Sequence, residues 1–195
     1  HHNENLSAQS ITACVDGQAG AFECSNVDLL AFLPLAQIGG GNGNDIWGWT
    51  DNLTGKEYAI MGLTNGTAFV DISDPVNPLY LGHLPPHPGV ANSSWRDIKT
   101  YNDHAFIGSE AQASGMQIFD LTLLRNIASP PVTLTETAFY TGFSTSHNIA
   151  INEDTGFAYG VGVNNGNCGR GLHFVDIVNP TSPQAAGCFG TDGYT

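Results

Sequence analysis

Three short segments place acidic, basic and amide side chains at matching points along the chain: Asp45, Arg96-Asp97 and His147-Asn148. Carboxylates and an imidazole gathered in one place can hold a divalent metal. Oxygen donors favour calcium or manganese, and added imidazoles favour zinc, iron or copper. A metal held there would activate water or polarise a carbonyl. The same residue types serve equally well to cap strand starts by accepting backbone amides, and Arg96 beside Asp97 equally suits an ion pair between neighbouring units. Asp45, Asp97 and His147 are therefore candidate metal ligands. Trp47, Trp95, Arg96 and Asn148 are candidate ligand-binding residues, since an indole face stacks on a sugar ring as readily as it packs in a core.

What must position these residues is a repeat. The order of short apolar segments in Asp45-Ile46-Trp47, Tyr58-Ala59-Ile60-Met61, Ala68-Phe69-Val70-Asp71-Ile72 and Leu79-Tyr80-Leu81 returns twice. The second copy runs through Asp97-Ile98-Lys99, His104-Ala105-Phe106-Ile107 and Gln117-Ile118-Phe119-Asp120-Leu121, then irregularly to Phe139-Tyr140. The third runs through Asn148-Ile149-Ala150, Phe157-Ala158-Tyr159, His173-Phe174-Val175-Asp176-Ile177 and Gln184-Ala185-Ala186. Asp45 and Asp97 stand 52 positions apart, and Asp97 and Asn148 stand 51 apart. Turn formers such as Asn102-Asp103 and Asn152-Glu153-Asp154-Thr155-Gly156 separate the first two segments of a copy. Prolines in Asp74-Pro75-Val76-Asn77-Pro78 and Asn179-Pro180-Thr181-Ser182-Pro183 stop the third.

Tandem four-stranded units of this length predict an all-β chain: a β-propeller with about three blades, near 45–92, 95–143 and 146–190 within 41–195, after an amino-terminal segment 1–40. A small β-sandwich is the alternative. Three blades do not close a ring, so the chain is expected to be part of a larger propeller. In that fold the first strand of each blade lines the axis, which would bring Asp45, Asp97 and His147 toward one end of it.

Composition narrows the function. Five Lys and Arg against 18 Asp and Glu give a net charge of −13, which repels phosphate backbones and anionic lipid; nucleic acid is not an expected partner. No apolar run approaches a membrane span, so no membrane insertion is expected. The four cysteines form two local pairs, Cys14 with Cys24 and Cys168 with Cys188, without CxxC spacing. Two structural disulfides in an oxidising compartment are the expectation, with buried free thiols as the alternative. No hydrophobic leader precedes the first folded segment, so export is either unused or already followed by its removal. Sequons at Asn5, Asn52, Asn65 and Asn92 add little in a chain so rich in Asn, Ser and Thr.

Other chemistry reads weakly. His1-His2 could chelate copper but equally forms an ordinary terminus. The Gly39–Asp45 run lacks the lysine of a phosphate loop and reads as a loop leading into the first strand. Gly142-Phe143-Ser144-Thr145-Ser146 lacks the last glycine of a nucleophile elbow. His83, His87, His104 and His173 read as solvated or hydrogen-bonded residues in loops or at strand edges, with no acid partner visible from spacing.

Several stretches resemble the choice-of-anchor B family of bacterial surface proteins with LVIVD-type propeller repeats. They include Gly43-Asn44-Asp45-Ile46-Trp47-Gly48-Trp49-Thr50, Gly66-Thr67-Ala68-Phe69-Val70-Asp71-Ile72-Ser73-Asp74-Pro75, Trp95-Arg96-Asp97-Ile98-Lys99, Gly115-Met116-Gln117-Ile118-Phe119-Asp120-Leu121, His147-Asn148-Ile149 and Asp192-Gly193-Tyr194-Thr195. The resemblance implies a propeller exported to the cell surface, with this chain corresponding to about the first half of a family member. It lends no settled activity. The expected function is that of a secreted or surface-displayed binding or scaffold module for a protein or glycan. A metal-dependent enzyme at the axis and a self-assembling structural subunit are the rivals.

Overall fold

The computed structural model describes residues 11–164, 166 and 168–190. His1-His2, Asn5 and Asp192–Thr195 lie outside them. In the first segment a short hairpin of β1 (Gln18–Ala19) and β2 (Phe22–Glu23) sits beside the Cys14–Cys24 disulfide, and a 3-10 turn follows at Leu35–Gln37.

Three antiparallel sheets then succeed one another. The first blade is β3 (Gly43–Thr50), β4 (Glu57–Leu63), β5 (Gly66–Asp71) and β6 (Leu79–Leu84). The second is β7 (Arg96–Tyr101), β8 (His104–Ser109) and β9 (Met116–Asp120). It is completed, after β10 (Val132–Thr133), by β11 (Ala138–Tyr140). The third is β12 (Asn148–Asn152), β13 (Phe157–Val161), β14 (Leu172–Asp176) and β15 (Gln184–Phe189). The architecture is that of β-propeller blades: β3 lies against β7 and β7 against β12, so the inner strands are neighbours.

Period-two alternation explains the packing. Along β8, Ala105 and Ile107 join Trp49, Tyr58, Ile60 and Phe69 of the first blade, while Phe106 between them joins Ile149, Ala158 and Val175 of the third. In β5, Phe69 faces the second blade, whereas Ala68 and Val70 face Leu33 and Ile38 of the amino-terminal segment. A strand buried on both faces must be apolar throughout, which is why these segments read as continuous apolar runs.

Turn chemistry fixes the registers. Asn102 and Asp103 both have positive φ, 46° and 57°, as a two-residue type I′ hairpin requires. The aspartates that end each third strand, Asp71, Asp120 and Asp176, accept the backbone amides of Ser73, Thr122 and Val178 at 3.0, 2.9 and 3.0 Å. That local bond competes with the ladder and ends the strand, which gives the repeated aspartate a physical task.

The second blade departs from the simple repeat. Between β9 and β11 the chain makes a 3-10 stretch, Leu121–Asn126, and then β10 pairs in parallel with β6, adding a fifth strand to the first blade's sheet. Arg125 in that stretch makes a two-pronged bond to Asp51 in the β3–β4 turn, at 2.7 and 2.8 Å. The second blade is thus laced onto the first both at β6 and at the β3–β4 turn.

Candidate functional site

The inner strands carry a repeated clamp. Asp45 Oδ2 accepts the Ile98 amide at 2.8 Å, and one repeat later Asp97 Oδ2 accepts the Ile149 amide at 2.5 Å. Opposite these aspartates in the hairpins stand Gly62 and Gly108. A Cβ on Gly108 would lie 2.4 Å from Ser146 Oγ and 2.9 Å from Ile149 Cδ1, so the approach of the third blade requires its absence. Asn148, third in the series, is exposed, and its side chain meets no partner among the described residues. Asp45 and Asp97 therefore act as strand caps between blades, and Lys99 Nζ holds the other oxygen of Asp97 at 2.6 Å. Among the described residues, no three His, Cys, Asp or Glu side chains are grouped so as to hold a metal.

Arg96 is also drawn into the interface. It is 4% exposed, its Nε donates to the Leu63 carbonyl at 2.8 Å, and burial pushes its pKa down to about 10. Its Nη2 is buried without a partner among the described residues. The tryptophans divide. Trp49 is buried, stacked on Tyr58 with ring centroids 5.0 Å apart, and donates to Asp103 at 3.2 Å. Trp47 is exposed, donates to Thr100 at 3.1 Å and carries the Lys99 ammonium 4.3 Å from its ring centre. Trp95 is 55% exposed.

Trp95 leads to the open part of the site. Its ring lies 6.0 Å from that of His147, whose Nδ1 is paired with the Glu110 carboxylate. Glu110 in turn lines a cleft of about 340 Å³ between the second and third blades, with Gln112, Thr145, Asn164 and Arg170. His147 and Trp95 come from the starts of inner strands, as the repeat predicts, whereas Glu110 follows β8 and has no sequence signal linking it to His147.

The remaining histidines are more constrained than their positions in sequence imply. His173, read from sequence as a loop or edge residue, is buried in β14. Its Nε2 meets the Tyr140 hydroxyl at 2.7 Å and its Nδ1 faces the Cys168 sulfur at 3.0 Å, and burial lowers its pKa. Burial also lowers that of His83. His104 Nδ1 meets the Asn102 carbonyl at 2.7 Å. His87 has an acid partner after all, Glu136, 49 positions away. Both disulfides are formed, and Cys168–Cys188 joins the loop before β14 to β15.

The LVIVD repeat family matches residues 55–83 and 146–191. The chain carries LVIVD repeats. The first match covers β4, β5 and most of β6, and the second covers the third blade. The LVIVD match passes over the second blade, where the 3-10 stretch and β10 interrupt the simple order of strands. No curated protein matches the chain.

Proposed function

We propose that this LVIVD-repeat protein is a secreted or cell-surface binding module of the choice-of-anchor B type, and that the cleft beside Trp95 recognises a neutral glycan. The observation that carries this reading is the grouping of an exposed indole with an imidazole–carboxylate pair whose carboxylate lines a polar cleft. The indole offers an apolar face to a sugar ring. Glu110 accepts hydroxyl protons, Arg170 donates, and Gln112 does both. The net charge of −13 disfavours acidic polymers. Two disulfides support an oxidising compartment, and no helix among the described residues is long and apolar enough to cross a membrane. Titration with soluble neutral oligosaccharides, followed by tryptophan fluorescence, tests the reading. A saturable change lost in Trp95→Ala supports it, and an unresponsive protein refutes it.

A second reading has its own support. β15 is exposed along its whole length, and an open strand edge can pair with another chain. A structural subunit would show concentration-dependent mass in light scattering, and a monomer at all concentrations would reject that role.

A further inference from the structure

We infer that a second cavity, between the first and second blades, is a binding site for a small neutral polyhydroxylated molecule, with His87 Nε2 as its hydrogen-bonding group. The cavity measures about 410 Å³, within the range of small-molecule sites. His87, Val90, Ala113, Phe139, Phe143 and Ser144 line it.

His87 is held there by contacts that leave one ring nitrogen available. Its ring lies flat on Phe139, centroids 3.6 Å apart and planes 2° from parallel. Its Nδ1 is paired with Glu136 Oε1. The other oxygen of Glu136 accepts from Gln117 Nε2 at 2.8 Å, and Gln117, itself 4% exposed, also donates to the Pro85 carbonyl at 3.1 Å. Glu136 and Gln117 line a separate cavity of about 190 Å³. A carboxylate only accepts, so Nδ1 carries a proton toward Glu136, and Nε2 is the ring nitrogen left for a ligand. Nε2 has no partner among the described residues and is not among the buried polar atoms. Nδ1 is turned toward Glu136, and the His87 ring lines the larger cavity.

The opposite wall is also built rather than incidental. Ala113 adopts the left-handed conformation at φ 61°, uncommon for a residue other than glycine, and its amide donates to Ser144 Oγ at 2.8 Å. Gly115, at φ 48°, packs where a Cβ would lie 2.2 Å from the Tyr140 carbonyl. A ring nitrogen between phenyl and aliphatic walls suits a hydroxyl, which both donates and accepts, on a ring with apolar C–H faces. The net charge of −13 disfavours an anionic ligand.

Methyl glycosides of glucose, galactose, mannose and N-acetylglucosamine serve as probes for the whole chain. Histidine-labelled protein followed by NMR reports the His87 ring nitrogens, and calorimetry reports affinity. The expected result is a saturable shift at His87 Nε2 with at least one probe. Affinity should fall about tenfold in His87→Phe, which keeps the ring stack and loses one hydrogen bond. Glu136→Gln, which keeps the shape and removes the charge that holds Nδ1, should weaken binding too, while Trp95→Ala leaves the His87 shift intact. No saturable shift with any probe, equal affinity in both His87→Phe and Glu136→Gln, or loss of the shift in Trp95→Ala would each overturn the inference. Because Trp95→Ala separates the two sites, failure here is distinguishable from failure of the cleft reading.

Discussion

Asp97 Oδ2 accepts the Ile149 backbone amide at 2.5 Å, and the bond crosses from the inner strand of one blade to that of the next. Both residues are buried, at 5% and 1% exposure. An amide deprived of its acceptor there costs about 1–3 kcal/mol. Asp97→Ala should lower stability by that amount, read from urea unfolding, and Asp97→Asn, which keeps an oxygen, should lose less. Equal stability of Asp97→Ala and the parent would show that the clamp contributes nothing.

Asp51 and Arg125 give the contact between the first two blades its pH dependence. The Arg125 guanidinium, with the Thr54 hydroxyl and the Leu53 amide, holds the Asp51 carboxyl well below its usual 3.8 despite opposing desolvation. A carboxyl depressed on folding contributes stability that is present above 3.8 and is lost as pH falls through the lower folded value. The stability difference between the parent and Arg125→Ala should therefore be largest near neutrality and shrink below pH 3.8. A difference independent of pH would contradict this.

His173 has the opposite origin but the same direction. Burial keeps its ring neutral in the fold, while the unfolded chain protonates near 6.5. Its folded value is depressed, so stability is full above 6.5 and declines as pH falls below it. His173→Phe should be less stable at pH 7.5, because the Tyr140 hydroxyl loses its partner, yet decline less between pH 6.5 and 5. Parallel pH curves for the two proteins would refute the assignment.

Reduction of Cys168–Cys188 should act on the third blade. The bridge spans 20 positions, and such a crosslink contributes about 2–4 kcal/mol by restricting the unfolded chain. Hydrogen exchange in β15 should rise in Cys188→Ser, while exchange in β4 and β5 stays unchanged. Unaltered exchange in β15 would show that strand pairing alone holds the edge.

The blades were legible in the sequence because strand segments, turn formers and the terminating aspartates recur in one order, and local chemistry decides each of them. Asp45 and Asp97 were legible as inner-strand residues, but the Ile98 and Ile149 amides they accept lie 53 and 52 positions away and carry no mark in the sequence. The pairs His147–Glu110 and His87–Glu136 were not legible, since they join residues 37 and 49 positions apart across turns. β10 was hidden for a related reason: two residues pairing in parallel with another blade carry no periodicity.

The central claim, a glycan site at Trp95, is tested most directly by a glycan array probed with the parent protein and with Trp95→Ala. The account predicts that the parent retains a defined set of neutral glycans, and that Trp95→Ala, folded to the same melting temperature, retains none of them. Binding to no glycan, or the same set bound by both proteins, would contradict it.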